Sequence, residues 1–131
     1  MDVALPYGTP TRLVTVPDDA VVVHSQPLPA LVNAHQVFEA AIAHPIGTPA
    51  LVELVSPKDR VAIIISDGTR PAPNHLLVPW LLKALEHIPR EQIVILVGTG
   101  SHRAMTQEEL RALAWGRGGS DGSGQQSLCN G

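Results

Sequence analysis

The stretch VAIIISDGTRPAPN, Val61 to Asn74, decides the fold. Its first five residues are apolar without alternation, which suits a strand covered on both faces, as in a parallel sheet. The run then stops on Asp67, Gly68, Thr69 and Arg70, with Pro71 and Pro73 just beyond. A second run of the same kind, IVILV from Ile93 to Val97, stops on GTGSHR. Between the two, Leu77, Leu81, Leu85 and Ile88 recur at helical spacing, while Lys83, Glu86 and His87 point elsewhere. Asn74 is the expected cap of that helix, and Pro79 is expected to kink it.

Strand, helix, strand over this length is a βαβ unit. Its strands are parallel, so both end at one edge, where open α/β sheets bind ligands. We therefore expect an α/β fold with an incomplete parallel or mixed sheet. The chemistry should lie in the loops after Ile65 and Val97.

On the N-terminal side, TRLVTVP alternates polar and apolar residues as a half-buried strand does, and AVVVH follows the acidic turn Asp18-Asp19. These two are expected to pair as a hairpin. Asn33 can cap a helix through AHQVFEAAIAH, with Val37, Ala41 and Ile42 on one face. A second, short helix is expected with Thr48 as its cap and Pro49 at its first position.

On the C-terminal side, Thr106 and Glu109 form a capping box that opens a helix over MTQEELRALAW. The sequence GRGGSDGSGQQSLCNG that follows is rich in Gly, Ser and Gln and has no periodicity, so disorder is expected. The division is thus 1–115 for a partial α/β domain and 116–131 for a tail.

The 131 residues give room for about one ordinary domain. Only 3% are aromatic, so Val, Ile, Leu and Ala must build the core. A net charge of -3 offers no field to attract nucleic acid or an anionic membrane, and no apolar run is long enough to span a bilayer. Cys129 is the single cysteine, which together with the absence of a signal-peptide pattern favours a reducing, cytoplasmic setting.

In the first loop, Asp67 offers a carboxylate, Gly68 a close backbone approach, Thr69 a hydroxyl, and Arg70 a planar donor fork suited to carboxylate or phosphate. The competing reading is an Asp67 to Arg70 ion pair that only fixes the turn. In the second loop, Gly98 and Gly100 allow a sharp turn and His102 titrates near neutral pH, so it can act as general acid or base. GTGSHR is not a dinucleotide fingerprint, because Arg103 stands where that motif wants Gly or Ala. No P-loop is present, and Ser101 is not set in a GxSxG elbow. The other five histidines show no recognised metal spacing.

LPYG at Leu5 to Gly8, HPIGTPALVELVSPKDRVAIIISDGTRPAPN at His44 to Asn74, and VGTGSHRAMTQEEL at Val97 to Leu110 together resemble the nickel-dependent lactate racemase family. The resemblance runs from about Leu5 to Leu113, the N-terminal part of that family's catalytic domain. It implies a nickel pincer nucleotide as cofactor and a small 2-hydroxy acid such as lactate as substrate. In the family's proposed course a histidine takes the hydroxyl proton while the C2 hydride passes to the cofactor. By this resemblance His102 matches an acid/base histidine and Arg70 the arginine at the substrate carboxylate. Asp67, Gly68, Thr69 and Arg70 match the loop holding the cofactor's nucleotide end.

The family's second catalytic histidine, its cofactor-bearing lysine and its nickel-ligating histidine lie beyond the matched region and have no counterpart here. No metal ligand is therefore assigned. The chain is expected to be a truncated N-terminal fragment of a racemase or epimerase, inactive alone, and prone to self-association through an uncovered sheet face. The alternatives are a non-catalytic module that binds phosphate or carboxylate, and a truncated product with no function of its own.

Overall fold

The computed structural model describes residues 1–119 and 127–130. The chain divides into two compact units, Met1–Leu31 and Val32–Gly131.

In the first unit, strand β1 (Asp2–Pro6) pairs antiparallel with β2 (Thr11–Thr15), Ala4 opposite Leu13. The turn between them closes with a Tyr7 N–H to Pro10 carbonyl bond and places Gly8 at φ +64°, a left-handed conformation that glycine adopts without strain. Thr15 Oγ1 donates to Asp2 at 2.7 Å, and the Arg12 guanidinium stacks 4.6 Å over the Tyr7 ring. TRLVT is thus a hairpin strand as expected, but its partner is the upstream Asp2–Pro6 and not AVVVH. Ala20 to His24 forms no strand. The short turn brings β1 and β2 together, whereas Pro17 interrupts the route to the later segment.

The second unit carries the βαβ unit. Strand β3 (Val61–Ser66) runs parallel to β4 (Ile93–Gly98), with Ile63 opposite Ile95 and Ile65 opposite Val97. They are joined through helix α3 (Asn74–Ala84) and a 3-10 turn at Arg90–Gln92. A third parallel strand, β5 (Ser127–Asn130), lies on the far side of β4, so the order is β3-β4-β5.

That strand corrects the expectation of a tail without order. Leu128 stands opposite Ile95 and packs against the core, as an apolar residue beside a buried strand should. Four residues are too few for periodicity to announce them. Residues 120–126 and 131 of the expected tail lie outside the described residues.

Helices α1 (Ala34–Ala43) and α2 (Leu51–Leu54) precede the sheet, and α4 (Gln107–Trp115) follows β4. Asn33 sits at the N-cap of α1 but makes no side-chain capping bond, and α2 begins after Ala50 instead of Thr48. The capping box of α4 is present in full: the Thr106 hydroxyl accepts from the Glu109 N–H, and the Glu109 carboxylate accepts from the Thr106 N–H. Gly116, at φ +80°, closes this helix by donating to the Ala112 carbonyl.

The core joins one face of the sheet, through Ile63, Ile93 and Ile95, to Val78, Leu82, Leu85 and Ile88 and to Ala114 of α4. The buried apolar stripe of α3 is therefore Val78 and Leu82, continued by Leu85 just past its end, with Leu77 and Leu81 only half-buried. Both sets have helical spacing, and packing chooses the one facing the sheet. The helix continues through Pro79.

The uninterrupted runs are not covered equally on both faces. In β4 burial alternates, with Ile93, Ile95 and Val97 buried and Val94 and Leu96 half-buried. In β3 Ile63 is buried, whereas Ile64 is 73% exposed. The core helices occupy one face, and among the described residues β3 is the outer strand.

Candidate functional site at the carboxyl edge of the sheet

β3 and β4 end in register, with Ser66 opposite Gly98, so the loops that follow leave the sheet side by side. The first loop folds on Asp67. Its carbonyl accepts from the Arg70 N–H at 3.2 Å, and its carboxylate Oδ1 accepts from the Thr69 hydroxyl at 2.7 Å and the Thr69 N–H at 3.3 Å. This is the turn habit of aspartate, its side chain bonded to backbone two residues on. Buried Asn74 anchors the loop's far end by donating from Nδ2 to the Ser66 carbonyl at 3.2 Å. Asn74 was expected as a helix cap; it is instead the first residue of α3, and its amide serves the strand end.

The second loop turns at Gly100, φ +57°, and closes with the His102 N–H donating to the Thr99 carbonyl at 3.0 Å. The turn delivers His102 to the first loop. Its Nδ1 lies 2.6 Å from Asp67 Oδ2 and 3.5 Å from Thr69 Oγ1. Asp67 is only 4% exposed, whereas the His102 side chain is 45% exposed. The Thr69 hydroxyl and then the His102 ring hold the Asp67 carboxyl below the usual aspartate range, so it is ionised near neutral pH.

An ionised Asp67 can only accept, so the imidazole must carry its proton on Nδ1. In the neutral ring Nε2 is then the free acceptor. This is the state a general base requires, with the carboxylate fixing tautomer and ring orientation.

A cavity of about 470 Å³ opens on this pair, lined by Asp67, Gly68, Thr69 and His102 together with residues of α4 and its approach. Gly68 does not use a left-handed conformation; a Cβ there would stand 3.4 Å from the Met105 side chain. The structure thus brings together His102, Asp67, Gly68 and Thr69. It does not place Arg70 on the cavity lining. Arg70 is exposed, and its guanidinium has no hydrogen-bond or ion-pair partner among the described residues. The ion pair of the Asp67 carboxylate is with His102, so an Asp67 to Arg70 pair is not what fixes the turn.

Three residues on the cavity were not read from the sequence as part of a site: Arg103, Glu109 and Arg117. Arg103 donates from both guanidinium nitrogens to Glu109, at 2.9 and 2.6 Å. That fork, with the capping bond from Thr106, drives the Glu109 carboxyl down to about 2. Arg103 is thereby tied to the start of α4, which holds the second loop against the helix. Arg117, exposed and without an ion-pair partner among the described residues, lines the same cavity. The capping box already marked Glu109; nothing local marked its bond to Arg103. Among the described residues, no group of three or more His, Cys, Asp or Glu side chains is placed to hold a metal ion, and no helix is long and apolar enough to cross a membrane.

Fold and site together define an α/β domain that presents a carboxylate-anchored histidine at the carboxyl edge of a parallel sheet. Residues 7–116 match the family described as the lactate racemase N-terminal domain, and the chain belongs to that family. It is 43% identical over 79 residues to the lactate racemase of Lactiplantibacillus plantarum, covering 60% of this chain and 19% of that protein. It is 31% identical over 116 residues to the lactate racemase of Thermoanaerobacterium thermosaccharolyticum, covering 85% of this chain and 27% of that protein. The apoprotein structure of lactate racemase from T. thermosaccharolyticum superposes with a TM-score of 0.69 at 27% identity, over 99% of this chain and 30% of the other. The chain therefore spans less than a third of the length of these relatives.

Proposed function

We propose that this chain supplies one side of the active site of a 2-hydroxy-acid racemase acting on lactate or a close analogue, and that it does not racemise alone. The observation that carries the reading is the Asp67 to His102 pair, set at the carboxyl edge of β3 and β4 in a member of the lactate racemase N-terminal family.

In this reading His102 Nε2 takes the proton from the substrate hydroxyl, and the Asp67 carboxylate stabilises the imidazolium that results. Arg70, exposed and without a side-chain partner among the described residues, binds the substrate carboxylate with its planar fork. Gly68, Thr69 and Arg70 would hold the phosphate end of a nickel pincer nucleotide. The small residue, hydroxyl and guanidinium fit a phosphate, while no described side-chain cluster fits the metal. When bound, that cofactor supplies a hydride acceptor, which spares C2 the carbanion charge that direct deprotonation beside a carboxylate would create.

One histidine serves one face of the substrate, and racemisation needs acid/base chemistry toward both. Hence the chain alone should bind without turning over. Incubation of the purified protein with the nickel pincer nucleotide and either lactate enantiomer should leave the enantiomer unchanged. Sustained racemisation would overturn the claim of inactivity.

A non-catalytic phosphate- or carboxylate-binding role draws on the same exposed Arg70. The two readings part at His102: binding of lactate indifferent to His102→Gln but lost in Arg70→Ala, by calorimetry, favours the binding module.

A further inference from the structure

We infer that Arg103 is a positioning residue for His102: by gripping Glu109 it fixes the loop after β4 so that the imidazole faces Asp67. The inference rests on the proposed reading of His102 as the base of the site.

The His102 side chain is 45% exposed, so packing alone does not set the direction of its ring. The turn that carries it bends at Gly100 and closes with the bond from the His102 N–H to the Thr99 carbonyl. That bond shapes the turn but does not tie it to a neighbouring element. Keeping Nδ1 at 2.6 Å from Asp67 Oδ2 therefore needs the loop held on its far side. Arg103, the next residue, reaches α4. Its Nη1 donates to Glu109 Oε2 at 2.9 Å and its Nη2 to Oε1 at 2.6 Å, while Nη1 also donates to the Ala104 carbonyl at 3.0 Å. A planar fork on a carboxylate fixes direction as well as distance, which a single ammonium does not.

Glu109 is a firm anchor. Its Oε2 accepts from the Thr106 N–H at 2.8 Å, its own N–H donates to the Thr106 hydroxyl at 3.2 Å, and the helix behind it buries Leu110 and Ala114. Two residues past Arg103, the Met105 side chain lies against the first loop, 3.4 Å from where a Cβ on Gly68 would stand. The segment after His102 is thus braced to α4 by Arg103 and against the Asp67 loop by Met105. What separates positioning from ligand binding is where the fork points. Arg103 lines the same cavity as His102, yet its guanidinium faces Glu109, whose carboxylate neutralises it. The pair is solvent-accessible and adds only modestly to global stability, so the larger effect of breaking it should be local, at His102.

The test is nitrogen NMR of the His102 ring in the 131-residue protein, without substrate and at a pH that leaves the ring neutral. In the parent, one ring nitrogen is protonated and the other bare, so their shifts stand well apart. Arg103→Gln should draw the two shifts toward each other as the ring samples both tautomers, and should broaden the amides of 99–104, with the circular dichroism spectrum unchanged. Arg103→Lys, which keeps the charge without the fork, should restore only part of the parent pattern. Glu109→Gln keeps an oxygen for the Thr106 N–H and weakens the fork from the other side. It should move His102 in the same direction, and adding it to Arg103→Gln should change nothing further. Were Arg103→Gln to unfold, Glu109→Gln carries the same reading. His102 shifts unmoved in Arg103→Gln, full restoration by Arg103→Lys, or a parent-like His102 in Glu109→Gln would each overturn the inference. The reading of His102 as base fails by a different sign, lactate binding indifferent to His102→Gln, which leaves the Arg103 tie intact.

Discussion

His102 Nδ1 stands 2.6 Å from Asp67 Oδ2 across 35 residues of chain, and the contact joins a half-exposed imidazole to a buried carboxylate. Asp67, matched by resemblance to a cofactor loop, spends its carboxylate oxygens on Thr69 and His102, which makes it the group that orients the imidazole. Asn at position 67 keeps one oxygen, which the Thr69 N–H and hydroxyl hold in the place of Oδ1, and so turns an amide N–H toward His102 Nδ1. The ring should then move its proton to Nε2, and the free acceptor nitrogen would point into the protein. Nitrogen chemical shifts of His102 in Asp67→Asn should report the exchanged tautomer; unchanged shifts would count against Asp67 as the orienting group.

Thr69 gives Asp67 its largest stabilisation, through the hydroxyl at 2.7 Å. Thr69→Val deletes that donor while keeping the shape, so the Asp67 carboxyl should titrate at higher pH than in the parent protein. The sign for stability follows from linkage. A carboxyl depressed on folding contributes above its unfolded value, here 3.8, and the contribution disappears as pH falls through the folded value. Parent and variant should therefore differ more in melting temperature at pH 6 than in strong acid. Carboxyl carbon shifts followed through a pH titration measure the first effect and thermal melts the second.

The fold was legible where its signals were local. Two uninterrupted apolar runs bracketing a helical repeat specified the βαβ unit, and Thr106 with Glu109 specified the start of α4. Position within the sheet was not legible: VAIII has the composition of a central strand whether or not a neighbour lies beside it. Nor was the hairpin partner of TRLVT, because Asp2–Pro6 and Ala20–His24 are both short apolar segments nearby and only turn geometry separates them. In the site, residue types announced His102, Asp67 and Thr69 one by one. Their mutual bonds were not readable, since they depend on two loops leaving β3 and β4 in register. Arg103 drew attention only as a misfit to a dinucleotide motif, and its clamp on Glu109 emerged from tertiary placement.

That clamp predicts an acid transition of its own. Glu109 is held near 2 by Arg103 and by the Thr106 N–H, against an ordinary value of 4.5. Its contribution is complete above about pH 4.5 and fades as pH falls toward 2. Glu109→Gln should flatten the pH dependence of the melting temperature across that window. Thr106→Ala removes only the hydroxyl half of the box and should cost about 1 kcal/mol at neutral pH, read by urea unfolding. An equally steep acid limb in Glu109→Gln would assign the transition to other carboxyls.

The last prediction concerns the tie that shapes the first loop. Asn74 is 5% exposed and donates from the head of α3 to the carbonyl of Ser66, the last residue of β3. The loop from Asp67 to Pro73 is thus closed at its base by one side-chain bond as well as by its two prolines. Asn74→Ala leaves the Ser66 carbonyl without that donor in a poorly hydrated place, a loss of about 1–3 kcal/mol by urea unfolding. It should also loosen what the loop carries. Resonances of Asp67 and His102 should broaden or shift in Asn74→Ala, whereas those of the β1–β2 hairpin, in the other compact unit, should stay where they are. The Ile95→Ala variant separates the two effects, because Ile95 is fully buried in β4 and its truncation should cost about 2–5 kcal/mol. If the loss in Asn74→Ala were only general destabilisation, Ile95→Ala would disturb the Asp67 to His102 pair at least as much. A selective effect of Asn74→Ala identifies the Asn74 to Ser66 bond as what holds the loop in place for His102.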